Sequence, residues 1–196
     1  MAVIKDTYGQ PETTLASYDW YDLSTGTGYL NLYGIELSTA GGATYGLTTE
    51  PLFSDIGHQD YANAAGELNF DLDIEVPLTI EGVARINAPV STANSFNMTL
   101  TFKIYRVDSA SVEHQLGGSP TTAFSMNDLN YIAGVKIDIP LTRLKVGEKL
   151  RLSCINASTG DGAKILRWMF DPKNRDNALS TTFVSSQLIL NLPIKL

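Results

Sequence analysis

The stretch ELNFDLDIEV, residues 67 to 76, alternates without a fault: Leu68, Phe70, Leu72, Ile74 and Val76 against Glu67, Asn69, Asp71, Asp73 and Glu75. Such a period of two belongs to a β-strand with one face in a core and the other in water. At about 3.3 Å per residue it predicts a strand of roughly 33 Å.

The same signature recurs on either side. In FNMTLTFKIYRV (96–107), Phe96, Met98, Leu100, Phe102 and Ile104 alternate with polar residues, and in AGVKIDIPL, Val135, Ile137 and Ile139 do so. EKLRLSCIN and SQLILNLPIKL repeat the pattern. Turn signals separate these runs: STAGGATYG, STANS, LGGSP, KVGEK and STGDGAK. Asp161-Gly162 predicts a hairpin joining LRLSCINA to KILRWMF, and Pro77, Pro140 and Pro193 are expected at strand ends or edges. The one helical candidate is SMNDLNYIAG, with Ser125 as its cap.

Strands at this spacing without alternating helices predict an all-β fold. Eight or nine of them in 196 residues fit a single-domain antiparallel jelly-roll β-sandwich over residues 17–196, with residues 1–16 able to form an extended arm. A 43% apolar content supports a sizeable core, while Thr and Ser, about a sixth of the chain, suit strands and polar turns.

Charge narrows the function classes. A net charge of −7 argues against phosphate-backbone binding. The halves differ in sign: residues 1–84 hold 13 acids and one base, a balance of −12, and residues 85–196 hold 13 bases and 8 acids, a balance of +5. Interleaved strands would neutralise this internally; alternatively, acidic and basic faces of neighbouring copies would meet. No run is long and apolar enough to span a membrane as a helix, and the first residues lack the pattern of a secretion signal. Cys154, alternating with Leu150 and Leu152, reads as a core residue.

No catalytic motif stands out. Asp55, His58 and Asp60 in DIGHQD are the metal-ligand candidates, on what reads as a loop, but the set is incomplete and no metal or cofactor is expected. Asp71, Asp73 and Glu75 form an acidic row that could hold calcium or be salt-bridged. STGTGYL lacks the lysine of a phosphate loop, and the sequons at Asn97 and Asn156 count as chance. The aromatic run SYDWYDLSTGTGYLNLYG reads as a first hairpin of the sandwich. Its Tyr18, Trp20, Tyr21 and Tyr29, together with Trp168, are the candidates for a subunit interface or a stacked ligand.

Three stretches carry a resemblance: YDWYDLSTGTGYLNLYG, KVGEKLRLSCINASTGDGAKILRWMFDPKNRD, with its turn at Asp171, Pro172, Lys173, Asn174 and Arg175, and the closing SSQLILNLPIKL. They resemble jelly-roll virion structural proteins of tailed phages and related viruses, over roughly a third of the chain. The resemblance implies a non-enzymatic capsid decoration, cement or turret protein on the virion surface. It further implies a homo-oligomer, commonly a trimer, docked on other capsid proteins without nucleic acid or membrane. A carbohydrate-binding module using exposed aromatics is the alternative.

Overall fold

The computed structural model describes residues 16–17, 26–39, 42–50, 58–62, 66–92, 97–125, 130–156, 165–170 and 187–195. Among them there is no helix and there are thirteen strands. These are β1 (Ala16–Ser17), β2 (Thr27–Thr39), β3 (Gly42–Thr48), β4 (His58–Ala62), β5 (Gly66–Asp73), β6 (Leu78–Thr92) and β7 (Asn97–Val107), then β8 (Glu113–Leu116), β9 (Thr121–Ser125), β10 (Asn130–Leu144), β11 (Lys149–Asn156), β12 (Ile165–Met169) and β13 (Ile189–Lys195). The all-β sandwich expected from the alternating runs is what forms.

All strands share one hydrogen-bonded path, β4-β12-β6-β13-β2-β3-β5-β11-β7-β8, with β1 added to β2, β10 to β6 and β9 to β7. Pairing is antiparallel except where β3 meets β5, at Tyr45–Phe70 and Gly46–Asp71. The path folds over on itself. Trp168 of β12 thus meets Phe102 of β7 edge-on at 5.9 Å, and Phe170, just beyond β12, meets Phe70 of β5 and Tyr45 of β3 at 5.5 and 5.4 Å. These tilted ring pairs join the two layers, and such geometry adds to plain area burial. Around them pack Leu32, Ile80, Ile86, Leu100, Ile104 and Leu152, all fully buried.

The strand over 67–76 is shorter than its alternation suggests, because β5 stops at Asp73 and the chain turns ahead of Pro77. Ile74 N donates to Glu148 O and Gly147 N to Ile74 O, tying this turn to the one before β11; Val76 is left 74% exposed. The helix expected in SMNDLNYIAG is not formed where it is described: Ser125 ends β9, and Asn130–Gly134 open β10, paired with β6 from Ser91 to Asn87. The expected hairpin also fails. Asp161 and Gly162 lie outside the described residues, and the strands they separate do not pair: β11 lies between β5 and β7, β12 between β4 and β6.

Two prolines are accommodated by irregularity. Pro140 falls in the β10–β6 register shift between Ile139 and Thr142. Pro193 lies on a central strand instead of an edge, at the register shift between Asn191 and Ile194 where the β6 ladder skips. A missing N–H costs least there. Gly82 faces it with a φ of +119°, Pro193 Cβ lying 3.5 Å from where a Cβ would stand.

One side of the sandwich is closed by backbone contact. Gly117, between β8 and β9, crosses the outer edge of β10 with a φ of +71°. A Cβ there would stand 2.1 Å from Asp138 O and 2.9 Å from Ile137 Cγ2. The chain thereby blocks the middle of a long edge strand, at Asp138, against pairing with another strand.

Candidate functional site

The sequence candidates scatter. Tyr18, Trp20, Tyr21 and Asp55 lie outside the described residues. His58 and Asp60 are on strand β4, not a loop, opposite Met169 and Arg167 of β12. Among the described residues no three His, Cys, Asp or Glu side chains come together at a metal-binding position. Trp168 is 3% exposed and belongs to the core, which removes it as a stacking platform. Its indole Nε1, like Gln187 Nε2, is a buried donor without a hydrogen-bond partner. Tyr29 is half-buried on β2, opposite Pro193, and β1 pairs beside it, Ser17 to Tyr29, as a first hairpin requires.

Of the acidic row, Asp71 and Asp73 are engaged, while Glu75 lies exposed beyond the end of β5. Arg151 Nε and Nη2 grip both Asp71 oxygens at 2.6 and 2.7 Å, and its Nη1 reaches Glu113 Oε1 at 2.6 Å. Lys149 Nζ lies 3.1 Å from Asp73. Arg151 is therefore held well above its usual pKa, chiefly by the Asp71 hydrogen bonds. On the same face Ser153 Oγ donates to Glu67 and lies 2.6 Å from the Asn69 amide. Except for Arg151–Glu113, which lies within the second half, these contacts, with Lys195 to Glu81 at 2.5 Å, join the acidic first half of the chain to the second half. The opposed charges are spent inside the molecule to that extent, with Asp71, Asp73, Glu81 and Glu113 committed to cations of the chain.

The β7–β8 turn holds an imidazole and a carboxylate in contact. Asp108 Oδ1 accepts the N–H groups of Ala110 and Val112, and Oδ2 lies 2.9 Å from His114 Nε2. The histidine bond and the amide bonds hold the Asp108 carboxyl below its ordinary range. Cys154 is fully buried, and burial pushes its thiol pKa far up, so it is no ready nucleophile.

The opposite layer presents a different surface. On its outward face, Asn31 of β2, Asn191 of β13, Arg85 of β6 and Lys136 of β10 stand in one row. Tyr33, Ile189, Asn87 and Gly134 form the next. Asn191 Nδ2 donates to Asn31 Oδ1 at 2.7 Å, while Arg85, Asn87 and Lys136 are exposed. No sequence motif announces this row, since its members are spread from residue 31 to residue 191.

No family model matches the sequence, and neither does any curated protein. Solved structures do resemble the fold. A CocE/NonD family hydrolase from Staphylococcus aureus aligns over 86% of this chain and 37% of its own, with a TM-score of 0.56 and 14% identity. An alpha-amino acid ester hydrolase aligns over 84% and 36%, with a TM-score of 0.54 and 12% identity. An aminopeptidase from a marine sediment Thaumarchaeota archaeon aligns over 87% and 37%, with a TM-score of 0.54 and 10% identity. The chain thus spans less than two fifths of the length of these proteins. The folds it resembles are portions of hydrolases, which overturns the virion reading and the expectation that the protein has no enzymatic role.

Proposed function

We propose that the chain serves the hydrolysis of ester or peptide bonds, as the β-sandwich unit of a hydrolase. The observation that carries this reading is the alignment of 84–87% of the chain with 36–37% of an alpha-amino acid ester hydrolase and an aminopeptidase. Among the described residues His114 is tied to Asp108 and Cys154 is sealed in the core. Bond cleavage is therefore assigned to groups beyond this set or to a companion catalytic unit. The sandwich's contribution is positional: a sheet cross-braced by Arg151 offers rigid faces on which substrate and partner are held, and rigid positioning is what hydrolytic chemistry asks of a scaffold.

The test is hydrolysis of amino-acid p-nitrophenyl esters and aminoacyl p-nitroanilides by the tagged chain, purified from the cells that make it. Activity that follows the chain through successive columns supports the reading. A folded chain carrying no hydrolysis above buffer in any fraction would refute it.

A further inference from the structure

The row Asn31–Asn191–Arg85–Lys136 breaks a rule of sheet construction. Arg85 and Lys136 stand directly opposite one another on adjacent strands, and like charges so placed repel. Three cations elsewhere in the sheet are paired, Arg151 with two acids, Lys149 with Asp73 and Lys195 with Glu81, and of the cations without an ion pair among the described residues Arg85 and Lys136 are the two that face each other across a ladder. Arg85 and Lys136 have no ion pair among the described residues, although the chain carries a net charge of −7. The nearest acid along β10, Asp138, is one step away on the same face, about 7 Å off, and pairs with neither.

The neighbours of this cation pair are equipped for a polar chain. Asn191 gives its Nδ2 to Asn31 Oδ1, which leaves Asn191 Oδ1 as an acceptor and Asn31 Nδ2 as a donor. Asn87 adds a second exposed amide one step along β6, and Tyr29 and Tyr33 flank Asn31 on β2, offering ring faces and hydroxyls. Four strands at about 4.8 Å make the row roughly 14 Å wide, the length of four or five extended residues.

We propose that this outer face binds an acidic peptide, with Arg85 and Lys136 receiving its carboxylates and the Asn31–Asn191 pair its amides. Charge complementarity selects the acid; amides in donor and acceptor orientation, between tyrosine rings, select a peptide over a simple ion. The choice of a peptide rests on the hydrolase reading, to which it adds the chemistry of what the sandwich holds.

The experiment is fluorescence anisotropy of fluorescein-labelled hexaglutamate, with hexaglutamine as the neutral control. Hexaglutamate should bind at least about tenfold more tightly than hexaglutamine, and the Arg85→Glu/Lys136→Glu variant should lose about tenfold or more, the scale of two exposed charge contacts. Both positions are exposed, so the variant keeps the fold, which an unchanged melting temperature checks. Tyr33→Ala should weaken binding several-fold, and Asp138→Asn should strengthen it by about twofold as a competing acid is removed. Equal binding of the two peptides, undiminished binding by the charge-reversed variant, or displacement by inorganic phosphate as effective as by unlabelled peptide would each overturn the proposal. Because no bond is cleaved, the assay reads this face independently of hydrolysis: binding without activity leaves only the peptide assignment standing, and activity without binding removes only that assignment.

Discussion

Replacing Gly117 with alanine asks two things of the chain that it cannot easily supply. The first is conformational: a φ of +71° is left-handed, a region that costs a residue with a Cβ about 1–2 kcal/mol. The second is steric. The new methyl would stand 2.1 Å from Asp138 O, more than 1 Å inside ordinary contact, and 2.9 Å from Ile137 Cγ2. Neither neighbour yields cheaply. Asp138 is locked opposite Val83 in the β10–β6 ladder, and Ile137 is buried in the core. Moving the loop off β10 opens that side of the sandwich, and overpacking of this kind costs about 1–3 kcal/mol. The sum is about 2–5 kcal/mol, a large part of the roughly 5–15 kcal/mol that holds a domain together. Urea unfolding with matched m-values measures it. Gly118→Ala is the internal control, since its Cβ would meet nothing within 4 Å and its φ is not left-handed. If Gly117→Ala and Gly118→Ala fall within about 0.5 kcal/mol of each other, the scatter of ordinary surface changes, the account of how the sandwich closes is wrong.

Two further outcomes follow from the charged groups. Arg151→Ala should cost about 2 kcal/mol in the same urea assay, because it leaves Glu113 without its cation and Asp71 with only Lys149 Nζ at 4.0 Å, whereas Arg151→Met should recover part of the loss by packing its stem. The pH dependence turns on Asp108, whose folded pKa lies below its ordinary 3.8. A depressed carboxyl stabilises above its unfolded value and loses that contribution as pH falls through the folded one. Asp108→Asn should therefore flatten the acid limb of stability against pH below about pH 4 while leaving the curve near neutrality parallel; an unchanged acid limb would remove the His114 clasp from the account.

The strands that could be read from the sequence are those whose inward residues are large. Leu68, Phe70, Leu100, Phe102, Leu150 and Leu152 all lie in the core that their alternation indicates. β6, which pairs with β10, β12 and β13, gave little signal, because its inward positions include Ala84 and Ala88, and Gly82 and Pro89 interrupt the run. Local cues were outvoted at two places. Ser125 resembles a helix cap and Asp161-Gly162 a hairpin turn, yet pairing with β6 draws Asn130–Gly134 into a strand, and β11 and β12 take partners far away in sequence. Trp168 was misjudged because a tryptophan's type does not reveal its side of the sheet; only the contact with Phe102 does. The Asn31–Lys136 row was invisible for a simpler reason. Asn31 and Asn191, hydrogen-bonded in the fold, are 160 residues apart.

The position of β13 between β2 and β6 has a consequence for how the protein is made. Both neighbours leave the ribosome first, and each presents a row of open amides and carbonyls until residues 189–195 arrive. From the end of β6 to the start of β13 the ribosome must add nearly a hundred residues, about 5–20 s of elongation. During that interval Leu32, Ile80 and Ile86 lack the strand that covers them, and the nascent chain is at its most prone to pairing with a stranger. Its yield in cells should depend on what shelters β2 and β6 in those seconds, more than on the final stability of the sandwich.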